Sequence, residues 1–232
     1  MLGQTALRDQ QALLTRRRVL DAALELFLAD GYLGTTIDAV ARRAGVSTQT
    51  VYNAVGGKPA LLRAVYDISL AGDDEPVPIA ERPAFQAMLA ETDGRRCLAR
   101  YATLSRELWE RAGPLVARLL SQAAAGDADL RAFADTAERQ RATGTAMVAR
   151  HVAERFGLRP GLTVQEAGDV LWTLTAPEVL QRLVARRGWS LDRAEAWLAD
   201  AMADTLLGPG PSAGRSAGPP AGTVSGGRTR PG

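Results

Sequence analysis

From Ser47 to Asn53 the chain reads STQTVYN, and every polar side chain in that stretch is a hydroxyl, an amide or a phenol. Such groups reach base edges and phosphate oxygens, and a helix carrying them near its N-terminus fits the major groove of B-DNA. No comparable grouping points to catalysis. His151 is the only histidine, and no carboxylate–histidine–hydroxyl set, metal-ligand spacing or Gly-rich phosphate loop accompanies it. The single cysteine, Cys97, excludes an internal disulfide and a Cys-based zinc site, and its simplest reading is a small buried hydrophobe. The expectation is a binding protein and not an enzyme, with no catalytic residue, metal or cofactor.

Two short helices and a tight turn must position those polar groups. Ile37, Val40, Ala41 and Ala44 fall at helical spacing, with Thr35 or Thr36 as cap and Asp38 in the first turn. Gly45 stands where a helix commonly ends in a left-handed residue. Val46 resumes the apolar face and Ser47 is placed to cap the second helix. Val51 then points inward, leaving Thr48, Gln49, Thr50, Tyr52 and Asn53 outward. On these twenty residues alone, a solvated helical hairpin and a DNA-reading one are both open. Upstream, Val19, Ala22, Ala23, Leu26 and Phe27 form a stripe that Asp30-Gly31 ends. Downstream, Gly56-Gly57-Lys58-Pro59 opens a helix with Leu61, Leu62 and Val65 on its apolar face.

The run RVLDAALELFLADGYLGTTIDAVARRAGVSTQTVYNAVGGKPALLRAV, within about Arg16 to Leu70, resembles the DNA-binding domain of the TetR family of bacterial transcription regulators. The resemblance is continuous over roughly a quarter of the chain. It implies an all-α protein: a three-helix head with Ser47–Asn53 as recognition helix, and a helical ligand-binding and dimerisation domain behind it. It also implies phosphate contacts at Thr36, Tyr52 and Lys58, and base or mixed contacts at Thr48, Gln49, Thr50 and Asn53. Two departures stand out. Asn53, Ala54 and Val55 follow the tyrosine where the family often has an aromatic or histidine and then Phe, and Gly57 replaces a frequent polar residue. The base preference is therefore not carried over.

Length and composition fit this plan. The 232 residues allow a small domain plus a larger one, and 46% hydrophobic with 23% charged residues is ordinary for a globular protein. No run of 18 apolar residues exists, so no membrane span is expected. The N-terminus lacks a signal pattern, and cytoplasmic residence is the expectation. The net charge is only +2, but it is unevenly spread. Residues 1–71 hold eight basic and six acidic groups, residues 72–207 hold 17 and 20, and the tail from 208 has three Arg and no acid. Arg16, Arg17 and Arg18 are candidates for the phosphate backbone, or simply a solvated helix start. Lys58 is the only lysine.

The organisation reads as a flexible arm at 1–14, a head at 15–71 with its helix-turn-helix at 36–55, an acidic, proline-containing linker at 72–82, a helical body at 83–207, and a Gly/Pro-rich disordered tail at 208–232. In the body, Leu98 to Ala112 forms a stripe that Gly113-Pro114 is expected to end or kink. Leu130 to Val152 forms a long one, whose roughly 28 residues would span about 40 Å. Pro177 should restart a helix, with Thr175 and Glu178 as its capping box. The last two helical segments, about 164–187 and 190–207, are rich in large apolar residues. The resemblance implies that they pair in a homodimer, and closure of the monomer's own core is the competing reading. Tyr101, Trp109, Met147, His151 and Trp172 are candidates to line an effector pocket, with Ala134, Ala137 and Gly144 leaving space, although a lone histidine beside an apolar stripe is more often a packing residue. The expected function is a dimeric repressor that binds palindromic operator DNA and is released by a small-molecule effector. The alternatives are a helical protein–protein adaptor with a non-functional head and a ligand-independent DNA-binding regulator.

Overall fold

The computed structural model describes residues 2–123 and 126–210. Residues 211–232, most of the expected tail, lie outside the described residues. Every element among the described residues is helical: α1 Leu2–Ala29, α2 Gly31–Gly34, α3 Ile37–Ala44, α4 Thr48–Ala54, α5 Lys58–Ala71, a 3₁₀ turn Ile79–Glu81, α6 Pro83–Leu89, α7 Gly94–Ala123, α8 Ala128–Phe156, α9 Val164–Leu174, α10 Pro177–Leu180, a π-helical turn Gln181–Arg186, and α11 Leu191–Leu207.

Two cores result. The head core joins Val19, Ala23 and Phe27 of α1 to Val40 of α3, Val51 of α4 and Leu61, Leu62 and Val65 of α5. The same cluster includes Leu115 and Leu119 of α7 and Leu130 of α8. The body core gathers Leu98 and Ala102 of α7, Val148 and Val152 of α8, Leu171 of α9 and Leu198, Met202 and Leu206 of α11. Two helices, α7 and α8, thus bury residues in both cores.

Three expectations are corrected. Helix α1 begins at Leu2, so the stretch 1–14 expected as a flexible arm is helical from its second residue. It is rich in Leu, Ala, Gln and Arg, which favour helix even where Leu7, Leu13 and Leu14 stay exposed. Next, of the two outcomes expected at Gly113-Pro114, an end or a kink, the end does not occur, because α7 is continuous through Pro114. An interior proline loses one backbone hydrogen bond at about 3 kcal/mol, and the burial of Leu115 and Leu119 just beyond it offsets that loss. Finally, Pro177 does restart a helix, but the Thr175–Glu178 capping box is not formed. Ala176 is the N-cap, and the Thr175 hydroxyl donates to the Leu171 carbonyl at 2.7 Å. A capping box forms instead at α9. There the Glu166 N–H donates to Thr163 Oγ1 at 3.2 Å, and the Thr163 N–H donates to Glu166 Oε2 at 2.9 Å.

The last helices bury one face in the monomer and leave apolar residues outside. Val164 is 41% exposed, and Trp172 and Trp197 are 38% exposed each. No helix among the described residues is long and apolar enough to cross a membrane.

Candidate nucleic-acid interface

The turn between α3 and α4 is built as its residue types require. The Thr36 hydroxyl caps α3 by accepting the Ala39 N–H at 3.1 Å. Gly45 ends that helix at φ 66°, ψ 38°, the left-handed conformation that glycine adopts without a Cβ penalty. The Ser47 hydroxyl then caps α4 by accepting the Thr50 N–H at 3.0 Å. Val40 and Val51 are fully buried and clamp the two helices onto the head core.

This fixes which side chains α4 presents. Gln49, Tyr52 and Asn53 are exposed, and Tyr52 is 49% exposed despite its size. Gln49 Nε2 donates to Asn53 Oδ1 at 2.9 Å, which aligns the two amides along one edge of the helix. Thr48 and Thr50 are half-buried. Thr48 donates to Asp38 Oδ1 at 2.9 Å, tying α4 to α3, and the Thr50 and Ser47 hydroxyls lie 2.8 Å apart in a hydrogen bond. Thr36 is exposed at the start of α3.

The three arginines of α1 divide. Arg16 reaches across the head: Nη1 donates to the Ala54 carbonyl at 3.0 Å, and Nε donates to Asp74 at 3.1 Å. It braces the C-terminal end of α4 against the linker. Arg17 pairs with Asp21 one turn on, at 3.2 Å, and Arg18 is exposed. All three lie in the middle of α1 and not at a helix start.

Lys58, the first residue of α5, points toward the body. Its Nζ lies 4.3 Å from the ring centroid of Tyr32, on α2. Burial lowers its pKa, and Asp127 and Asp129 at the start of α8 oppose that shift. Tyr32 is itself 2% exposed. Its N–H donates to Gln122 Oε1 at 2.8 Å, and its phenol lies 3.4 Å from Asp129 Oδ2. Burial first, and the Asp129 carboxylate second, push the Tyr32 phenol well above its usual range. Gly31, at φ 76°, makes this approach possible, because a Cβ there would overlap the Gln122 amide. The Asp30-Gly31 turn was visible in the sequence, but a partner 90 residues away left no local signal.

The five residues expected around an effector do not converge. Tyr101 is packed into the body, and burial raises its phenol to about 12. Trp109 borders an open groove of about 370 Å³ between α7 and the π-helical turn. Met147 and Trp172 are exposed, and the Arg141 guanidinium lies 4.7 Å from the Trp172 ring. His151 packs edge-on against Phe156, with a buried Nε2 that has no hydrogen-bond partner in the protein. A partly open cavity, about 50 Å³, lies elsewhere, among Tyr66 of α5, Leu119 and Ala123 of α7, and Leu130, Phe133 and Ala137 of α8. Tyr66 and Phe133 form one wall edge to face, with ring centroids 5.0 Å apart. Glu138 and Arg141, paired at 3.0 Å, are also among its lining residues. Ala134 and Ala137 do face this space, so the small residues of α8 were a usable signal. The walls from α5 and α7 were not legible, because they come from distant sequence.

Known proteins resemble this chain in sequence over the head and in fold over most of its length. The family model for bacterial regulatory proteins, tetR family, matches residues 19–65. The HTH-type transcriptional regulator SrpR of Pseudomonas putida is 49% identical over 51 residues, which are 22% of this chain and 24% of that protein. The chain thus spans about a quarter of that relative's length. NalD of Pseudomonas aeruginosa, the secondary repressor of the MexAB-OprM multidrug efflux pump, is 22% identical and superimposes with a TM-score of 0.64 over 85% of this chain and 98% of that one. FadR of Bacillus subtilis, solved in complex with stearoyl-CoA, is 15% identical, with a TM-score of 0.63 over 80% and 96%. The two solved structures carry the fold, and the family match carries the head. Residues 19–65 of this chain thus carry the tetR-family match, and the chain as a whole shares its fold with these two solved regulators.

Proposed function

We propose that the protein is a sequence-specific DNA-binding transcription regulator that acts as a homodimer, represses, and is released from its operator by a small-molecule effector. The observation that carries this reading is the capped α3–Gly45–α4 unit presenting Gln49, Tyr52 and Asn53 to solvent inside the family-matched stretch. One helix of seven residues reads few bases. A twofold pair doubles the contact and favours a palindromic site. The exposed Val164, Trp172 and Trp197 supply an apolar face for that pairing through α9 and α11. NalD is a repressor and FadR holds stearoyl-CoA, which supports repression and an effector in the helical body. The space among α5, α7 and α8 would serve for it only if those helices moved apart, since about 50 Å³ is well below the size of an effector pocket. An effector that favours one body conformation must weaken DNA binding by the factor with which DNA weakens the effector.

The test is selection of duplex DNA from a random pool by the full chain, followed by a salt titration of the selected duplex. The expected result is a palindromic site bound by two chains. Replacing Tyr52 with Phe should weaken binding to selected and random duplexes alike and leave the salt dependence nearly unchanged, because a neutral phenol releases no counterion from the phosphate backbone. No enriched sequence, with no effect of Tyr52→Phe, would overturn the reading.

A further inference from the structure

Lys58 sits at a boundary. It opens α5 in the head, yet its ammonium rests on the Tyr32 ring, and Tyr32 is held by the body. Gln122, near the end of α7, accepts the Tyr32 N–H at 2.8 Å, and Asp129, in the first turn of α8, faces the Tyr32 phenol at 3.4 Å. Asp127 caps α8, accepting the Leu130 N–H at 2.9 Å, so it stands beside Asp129 as a fixed second charge. Arg118 of α7 adds another tie by donating to the Ala29 carbonyl at 3.1 Å. The body therefore reaches the one lysine of the chain through a buried aromatic ring and two carboxylates. A half-buried ammonium over an aromatic face is attracted by the ring quadrupole and by nearby carboxylates. A DNA phosphate would draw on the same single charge.

We infer that Tyr32 and Asp129 are positioning residues for Lys58: they hold its ammonium on the body side of the head, so that a DNA phosphate must compete with the acidic start of α8 for it. This rests on the DNA-binding reading above. It makes phosphate affinity a property of the body as well as of the head. Ala123 and Leu130, which flank the polar ties in sequence, line the partly open cavity. A shift of the start of α8 therefore moves Asp129 relative to Lys58 and changes how readily the lysine is given up.

Because Lys58 is the only lysine, protein grown with ¹³Cε-lysine gives a single side-chain signal. In the free full-length protein that signal should be displaced by the Tyr32 ring current, and Asp129→Asn should reduce the displacement while leaving the thermal midpoint nearly unchanged. Binding to a random-sequence duplex of about three helical turns suffices as the second readout, since phosphate contacts carry no sequence information. Asp129→Asn should tighten that binding about twofold at low salt, a modest gain because Asp129 acts on Lys58 through the Tyr32 ring and its field and not as a direct ion pair. The gain should vanish in a Lys58→Ala background, and DNA should move the Lys58 signal off the ring. An undisplaced signal in the free protein would overturn the positioning, whatever the DNA result. An equal gain from Asp129→Asn with and without Lys58 would show a general field effect and overturn the competition. A displaced signal in a protein that binds neither duplex would instead sink the DNA-binding reading and leave the positioning standing.

Discussion

At the scale of single residues, glycine and the polar caps decide where side chains can go. Gly45 turns α3 into α4, and Thr36 and Ser47 satisfy the N–H groups that each short helix would otherwise leave open. Gly31 has a different task. Its φ is 76°, and its bare Cα admits the Gln122 amide. Gly31→Ala combines a left-handed alanine, at about 1–2 kcal/mol, with a steric overlap. Urea denaturation should show a loss of about 2–4 kcal/mol. Adding Gln122→Ala should recover the steric part and leave the backbone part. Complete recovery, or none, would contradict the division. The glycine and caps of the helix-turn-helix were readable from the sequence because their partners lie three or four residues away. Gln122 was not, because only folding brings α7 to α2.

At the scale of elements, α7 decides how head and body are joined. It was read as two segments because proline lacks an N–H and clashes with the preceding turn. Local propensity lost to packing: the helix buries Leu98 and Ala102 in one core and Leu115 and Leu119 in the other, so a break between them would leave α8 as the other long helix with buried residues in both. Pro114 is exposed, and its cost is not repaid by contacts of its own ring. Pro114→Ala should therefore stabilise the protein by about 1–3 kcal/mol, seen as a higher thermal midpoint. An unchanged or lower midpoint would mean that the proline fits a bend which alanine relaxes at the expense of core packing. The restart at Pro177 shows the same balance. The break was predictable from the missing N–H, but the cap fell on Ala176 because the Thr175 hydroxyl is already bonded to Leu171.

At the scale of the whole molecule, the exposed apolar residues of α9 and α11 are the face proposed for assembly. Two tryptophans at 38% exposure sit on helices whose opposite faces are already buried, so closure of the monomer's own core does not use them fully. If the homodimer forms through this face, Trp197→Glu places two like charges near the twofold axis in an apolar setting. Sedimentation equilibrium should then show a monomer, while the circular dichroism spectrum keeps its helical form. DNA affinity for a palindromic site should fall by much more than affinity for a single half-site. A variant that stays dimeric would move the interface elsewhere.

The sequence by itself determined the all-helical class and the capped turn between α3 and α4. These follow from short-range rules: apolar spacing, caps and a left-handed glycine all act within one or two turns. The expectation of a DNA-reading head came from the resemblance of about Arg16 to Leu70 to a known family, and the acidic, proline-containing stretch near Gly72 to Arg82 suggested where that head ends. Only the tertiary structure decided that α7 is one strut through both cores, that Arg16 braces α4 and the linker, and that Lys58 rests on the ring of Tyr32, whose phenol faces Asp129. It also decided that the cavity lies among α5, α7 and α8, away from Met147, His151 and Trp172. The physical reason is common to all of these. Each depends on pairs separated by tens of residues, and packing chooses such pairs from the whole chain at once, where local sequence carries no record of the partner.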